Sequence, residues 1–328
     1  MNYVGGVDIG GTKCAVSIGA VSEKGVEIID KIKFPTPYDP VEAVDALVNN
    51  LKALTKKHPD KRIESIGVSC GSPLDSERGL ILSPPHLSNW DHIDVVTPFT
   101  TVFGVPAAVQ NDANACALAE WMWGAGKGTK NMIFMTFGTG LGAGLILNGK
   151  LYVGTNDMSG EVGHIRIEED GPVGYGKAGS FEGFCSGAGI AKLAKPMVQE
   201  YRDKNLATRI LEIQPEISKL TTADVGQAAS EGDELAIRIF RIVGEKLGKG
   251  VSVLIDVLNP ERIVIGSIFL RQEKLLRDEM EAVIEKEALS YNSRVCKIVA
   301  AGLGEEVGDY AAFSVAMNVI GNCETQKL

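Results

Sequence analysis

Asp112 stands between an apolar run, Val105 to Val109, and a stretch of helical pattern, Ala113 to Trp123. A carboxylate at such a junction has two physical uses. It can cap the following helix by accepting a backbone N–H. It can instead face a cleft as a general base and take a proton from a hydroxyl. A second polar group, Glu161, His164 and Glu182, follows, with Gly160 and Gly163 around the first two. Carboxylates and an imidazole are suited to holding the several hydroxyls of a sugar. A lone histidine is more often structural, but His164 lies three residues from Glu161, and that spacing favours a site.

Two glycine clusters could hold phosphate. The first is Asp8-Ile9-Gly10-Gly11-Thr12-Lys13 and the second is Gly138-Thr139-Gly140-Leu141-Gly142-Ala143-Gly144. Each is expected to join two strands. Glycine there permits positive φ and lets backbone N–H groups approach an anion. Thr12 and Thr139 add donors, Lys13 adds a positive charge, and Asp8 could hold Mg²⁺ through water, since hard cations prefer oxygen. The bland alternative is a pair of hairpin turns that bind nothing. Laid over one another, Asp8 to Ile18 and Thr136 to Ile146 form a weak internal repeat, and a duplicated unit suggests two similar α/β halves facing a cleft.

Other phosphate motifs fit less well. A Walker A loop needs Gly-Lys followed by Ser or Thr; here the next residues are Gly128, Leu151, Ala178 and Gly250. A dinucleotide fingerprint needs its glycine turn to open a helix, whereas Leu145-Ile146-Leu147 and the turn Asn148-Gly149 read as a hairpin.

The elements that must position these residues follow from periodicity. Strands are expected over Tyr3 to Ile9, Ala15 to Ile18, Val26 to Ile32, Ile63 to Cys70, Val105 to Val109, Asn131 to Phe137, Ala143 to Leu147, Arg262 to Ile265 and Lys297 to Val299. Pro40 to Lys57 has apolar residues at helical spacing, the region from Gly187 to about Leu254 is largely helical, and Gly308 to Ile320 is a final helix. Residues 83–98 read as an ordered loop, with His86, Asn89 and Trp90 facing a sugar. The expected division is a smaller α/β domain over 1–111 plus 308–328 and a larger one over 112–307.

Composition narrows the function classes. Of 328 residues, 45% are hydrophobic and 23% charged, the balance of a soluble globular protein. The formal net charge of −9 and the lack of a Lys/Arg run oppose nucleic-acid binding. The six cysteines form no C-x-x-C pair and suggest no disulfide framework. The start has neither a basic nor an apolar leader region, and no apolar run is long enough to span a bilayer. A cytoplasmic enzyme without membrane or nucleic-acid partners is the expectation.

The chain resembles the ROK family of bacterial sugar kinases and sugar-responsive repressors. The resemblance rests on Asp8 to Lys13, Asn111-Asp112-Ala113-Asn114-Ala115, Gly138 to Gly144, Gly160-Glu161-Val162-Gly163-His164, Glu182 with Ser186-Gly187, and Asn259-Pro260-Glu261. It implies an actin-like ATPase (ribonuclease H-like) α/β fold with two domains around a cleft. It implies Asp112 as catalytic base and Asn111, Glu161, His164 and Glu182 as sugar ligands. It also implies that Gly10, Gly11, Thr12, Lys13, Gly138, Thr139 and Gly140 hold ATP phosphates, with Gly302 to Gly308 near the nucleotide, and that the protein is a homodimer. The implied activity is an ATP- and Mg²⁺-dependent hexose kinase, glucose first, with N-acetylmannosamine, N-acetylglucosamine, fructose and allose as alternatives. The repressor alternative is disfavoured because Asp8 leaves no room for a preceding helix-turn-helix. Two departures stand out. Relatives carry a zinc motif, C-G-C-G-x-x-G-C-L-E, whose three cysteine positions here hold Val173, Tyr175 and Ser180, so no structural zinc is expected. Gly266-Ser267-Ile268 replaces a richer glycine run.

Overall fold

The structure, a computed structural model, describes residues 1–22, 25–87 and 89–325. Ser88, inside the expected loop 83–98, lies outside the described residues. The chain opens with strands β1 (Asn2–Ile9), β2 (Lys13–Ser22) and β3 (Gly25–Pro35), then helix α1 (Pro40–Lys57). Next come β4 (Ile63–Cys70), the short strands β5 (Leu74–Asp75), β6 (Leu80–Leu82) and β7 (Asp91–Asp94), helix α2 (Thr97–Phe103), β8 (Ala107–Asn111) and α3 (Asp112–Trp123). A second series runs β9 (Met132–Phe137), β10 (Leu141–Leu147), β11 (Lys150–Tyr152), β12 (Val173–Gly174) and β13 (Lys177–Ala178). Helices α4 (Phe181–Phe184), α5 (Gly187–Asp203), α6 (Arg209–Ile213), α7 (Thr222–Ser230) and α8 (Glu234–Leu258) follow. The chain closes with β14 (Arg262–Ile265), α9 (Ile268–Glu287), α10 (Ser290–Ser293), β15 (Lys297–Ala300) and α11 (Val307–Thr325).

Two five-stranded sheets share one plan. Their orders are β3-β2-β1-β4-β8 and β11-β10-β9-β14-β15. In the first, β1 pairs antiparallel with β2 and parallel with β4, and β4 pairs parallel with β8. In the second, β14 pairs parallel with both β9 and β15, and β10 pairs antiparallel with β11. The glycine clusters occupy matching turns, β1 to β2 and β9 to β10, so the weak sequence repeat corresponds to a duplicated sheet topology.

Two compact units result. One comprises Met1–Gly128, Gly144–Ser159 and Glu305–Leu328; the other comprises Thr129–Ala143 and Gly160–Gly304. Where the sequence suggested a first domain ending at residue 111, the first unit runs on through α3, because α3 packs against α11. The Ser314 hydroxyl, for instance, donates to the Ala115 carbonyl at 2.8 Å.

In the first unit, α1 buries Ala43, Val44, Leu47, Val48, Leu51 and Leu54 in a core with Val7, Ile9, Val16, Ile18, Ile66 and Val68. Asp39 starts α1 by accepting the N–H groups of Val41 and Glu42 at 2.8 and 3.1 Å, satisfying donors that a helix start leaves free. Helix α11 brings Phe313 and Ala316 onto Val4 and Val21. The contact is backbone to backbone at Gly67 in β4, where an added Cβ would stand 1.9 Å from the Ala312 carbonyl oxygen.

In the second unit, α8 and α9 pack along each other. Added Cβ atoms at Gly244 and Gly248 would meet the carbonyl oxygens of Leu276 and Met280 at 2.8 and 2.7 Å. Helix α9 was not expected from sequence. Its buried positions Leu276, Met280 and Ile284 do recur every four residues, but they form a narrow stripe on an otherwise charged surface.

The expected loop 83–98 contains a strand, β7, which extends a three-stranded sheet β5-β6-β7. Trp90 is 1% exposed within the first unit's core. It supports that sheet and does not face a ligand; its large apolar area outweighs the polar setting that suggested a loop. Among the described residues no helix is long and apolar enough to cross a membrane.

The close approach at Gly67 generates a test. Gly67→Ala must push α11 off β4, so it is expected to cost about 3 kcal/mol or more, at the upper end of overpacking effects. Chemical denaturation measures this, and a loss below about 1 kcal/mol would contradict the packing.

Candidate active site

Three parallel strands end together in the first unit. Their register aligns Asp8 with Ser69 and Ile9 with Cys70, then Ser69 with Gln110 and Cys70 with Asn111. Asp8, Ser69, Asn111 and Asp112 therefore meet at the carboxyl edge, the usual location for ligands in α/β sheets.

The helix cap falls on Asn111, not Asp112. Asn111 Oδ1 accepts the Asn114 N–H at 2.7 Å, while its Nδ2 donates to Ser72 Oγ at 3.0 Å. Asp112 is the first residue of α3, and its Oδ1 accepts the Ser69 hydroxyl at 3.2 Å. The cap that could have consumed the Asp112 carboxylate is thus supplied by its neighbour. Asn111 keeps a second lone pair and a second amide hydrogen.

Both acids are electrostatically strained. Surrounding protein, then the charge of Asp112, lift Asp8 to about 6, with Lys31 opposing. Burial also raises Asp112, against the Ser69 hydrogen bond. Yet both side chains remain open to solvent. Protein mass on most sides raises the pKa, while water at the open side screens the effect. Lys31 makes an ion pair with Asp309 at the start of α11.

The turn from Gly10 to Lys13 is closed by a Gly10 N–H to Lys13 carbonyl bond of 3.1 Å. Thr36 anchors it, donating from Oγ1 to Gly10 O at 2.6 Å and from N–H to Thr12 O at 3.1 Å. Gly11, Thr12 and Lys13 are exposed. An added Cβ at Gly11 would collide with His86, 2.7 Å from its carbonyl oxygen.

In the second unit, Gly138 donates to the Gly140 carbonyl at 3.1 Å and accepts from the Gly187 N–H at 2.8 Å. Neither turn uses the positive φ expected of it: Gly10, Gly11, Gly138 and Gly140 all lie outside that region. At Gly138 an added Cβ meets only Ser267, at 3.5 Å. Neither backbone handedness nor a close protein neighbour requires the glycine there.

The same unit brings Glu161, His164 and Glu182 into one neighbourhood. A 3₁₀ turn, Val162–His164, joins the first two. Gly160, at φ 83°, lets the chain pass Ala143, whose carbonyl oxygen would lie 1.9 Å from an added Cβ. Glu182, in α4, accepts the Leu141 N–H on Oε2 at 3.1 Å. Burial and the charge of Glu182 raise Glu161, while His164 lowers it.

At the three positions that the family resemblance aligns with zinc-motif cysteines, the chain has Val173, Tyr175 and Ser180. Ser180 is 0% exposed; its Oγ accepts the Gly183 N–H at 3.1 Å and donates to Gly174 O at 3.4 Å. Val173 and Tyr175 are exposed, whereas Phe181 is fully buried. Phe181 packs against Gly250.

Sequence reasoning missed Ser69 and Ser72. Their signal was a pair of hydroxyls at the end of a buried strand running into Gly71-Ser72-Pro73.

The duplicated sheets define the actin-like ATPase fold with two domains. The ROK family model matches residues 4–319, and the chain belongs to that family. It is 33% identical to a glucokinase of Halalkalibacterium halodurans over 93% of this chain and 92% of that protein. A ROK family glucokinase from Streptomyces griseus, solved with glucose and AMPPNP, is 28% identical with a TM-score of 0.76, covering 96% of this chain and 99% of that one. The N-acetylglucosamine repressor of Escherichia coli O157:H7 is 28% identical over 87% of this chain and 68% of its own length.

Two predictions follow from the first unit. Asn111→Ala removes the cap and is expected to cost about 1 kcal/mol, whereas Asp112→Ala removes no cap and is expected to cost less; a larger loss in denaturation for Asp112→Ala than for Asn111→Ala would place the cap on Asp112. For Asp8, the folded pKa of about 6 lies above the ordinary aspartate value of 3.8. The folded state therefore binds the proton more tightly, and that stability, complete below the unfolded pKa, is lost as pH rises through about 6. Asp8→Asn cannot titrate, so its Tm relative to the parent should rise from about pH 4 to about pH 7 in metal-free buffer. A flat difference would show that Asp8 is not so perturbed.

Proposed function

We propose that this ATP-dependent sugar kinase of the ROK family transfers the γ-phosphate of ATP to a hydroxyl of a hexose, glucose first, with Asp112 as the general base. The observation that carries the proposal is the uncapped Asp112 carboxylate, held by Ser69 at the edge of three parallel strands. The relatives named as glucokinases, one of them solved with glucose and AMPPNP, support glucose.

Asp112 takes the proton from the attacking hydroxyl. Its raised pKa moves it toward working pH, where a base accepts a proton with a smaller penalty, and such a base typically contributes 10²–10⁴-fold. Asn111 offers its remaining lone pair and amide hydrogen to the sugar. Glu161, His164 and the free oxygen of Glu182 hold further hydroxyls. Gly10, Gly11, Thr12 and Lys13, with Gly138, Thr139 and Gly140, bind the phosphates of ATP.

Asp8 fits a role toward Mg²⁺. Its carboxylate accepts no hydrogen bond from a described residue, and its repulsion with Asp112 would be relieved by a cation. Mg²⁺ would supply charge neutralisation at the transferring phosphate. No structural zinc enters the proposal, since Ser180 already organises its loop by hydrogen bonds.

The test is ADP release from Mg·ATP across a panel of hexoses and N-acetylhexosamines. Glucose is expected to give the highest kcat/KM, with N-acetylmannosamine, N-acetylglucosamine, fructose and allose below it. A different best sugar would revise the acceptor; no sugar-dependent release with any of them would overturn the proposal.

A further inference from the structure

The hairpin β12–β13 turns at Tyr175-Gly176. Tyr175 has φ 43°, in the left-handed region that a bulky side chain seldom occupies. Its side chain contributes nothing to the core, being 75% exposed. A strained, exposed aromatic residue needs a reason, because such outliers persist only where the surroundings hold them and they cluster at functional sites.

The ring lies edge-to-face on the His164 imidazole, with centroids 5.4 Å apart and planes at 72°, a favoured aromatic geometry. Two residues on, Lys177 Nζ donates to the His164 carbonyl at 2.6 Å. The hairpin therefore holds His164 at both backbone and side chain. Its own base is pinned by Lys192 Nζ donating to Val173 O at 2.8 Å and by the Ser180 hydroxyl on Gly174 O. Among the described residues, no hydrogen bond holds the imidazole itself.

We propose that Tyr175 is a positioning residue for the acceptor-sugar site: its ring fixes the plane of the His164 imidazole, and the left-handed backbone at Tyr175 is retained for that contact. This rests on the reading of His164 as a sugar ligand. An exposed histidine without such a neighbour samples several rotamers, and ordering it on binding costs affinity. A ring ordered in advance removes that cost for the sugar and leaves ATP binding untouched.

The test compares Tyr175→Phe, Tyr175→Ala, Tyr175→Gly and His164→Ala with glucose and Mg·ATP. Tyr175→Phe keeps the ring and should match the parent. Tyr175→Ala should raise the glucose KM about 3- to 10-fold, the scale of one side chain immobilised on binding, with the ATP KM and kcat unchanged. Tyr175→Gly should show the same rise together with a higher Tm, because glycine accepts the left-handed φ freely. A glucose KM that moves in His164→Ala but in no Tyr175 variant would overturn the positioning role and leave His164 as a ligand. A glucose KM unmoved in His164→Ala would overturn both. A matching rise in the ATP KM, or a lower Tm in Tyr175→Gly, would make the hairpin contact structural only and overturn the proposal.

Discussion

The hydrogen bond from the Asn114 N–H to Asn111 Oδ1 decides what Asp112 can do. A helix start must satisfy its free N–H groups, and a carboxylate at that junction is a ready acceptor. Because Asn111 takes the cap, Asp112 is left with one oxygen on the Ser69 hydroxyl and the other not used by the helix, which is what the proposed role as base requires. The register of β1, β4 and β8 then sets Asp8 beside it. Two carboxylates at one sheet edge repel, and burial first, then that repulsion, raises the pKa of Asp8.

This arrangement depends on close backbone approaches elsewhere. Strand β4 carries Ser69 at its end, and α11 lies against it at Gly67. The same helix presents Asp309 to Lys31, and both charges act on Asp8. In the second unit, Gly160 lets the chain cross Ala143 before Glu161 and His164. The duplicated sheets use the same strand order for two settings, one with Asp8 and Asp112 and one with Glu161, His164 and Glu182.

Much of this was legible in sequence. The span of α1, the strands β4 and β14, and the two glycine turns follow from apolar periodicity and from glycine clusters. Asp112 was recognisable as a choice between cap and base, but the choice itself was not. Asn111 and Asp112 cap helices equally well, and only the folded backbone shows which side chain turns back. Trp90 was misread because its polar neighbours hid a strand. The turn glycines were expected at positive φ, but Gly10, Gly11, Gly138 and Gly140 lie outside that region. Tyr175 gave no signal, since its strain and its contact with His164 exist only in the folded hairpin.

The most direct test of the account separates binding from proton transfer at Asp112. Glucose and ATP affinities of a folded Asp112→Asn protein would be measured by calorimetry beside its turnover. The account predicts that glucose binding weakens about tenfold at most, the scale of one hydrogen bond, while kcat falls roughly 10²–10⁴-fold. Near-parent turnover, or a loss of turnover matched by an equal loss of glucose binding, would contradict Asp112 as the base.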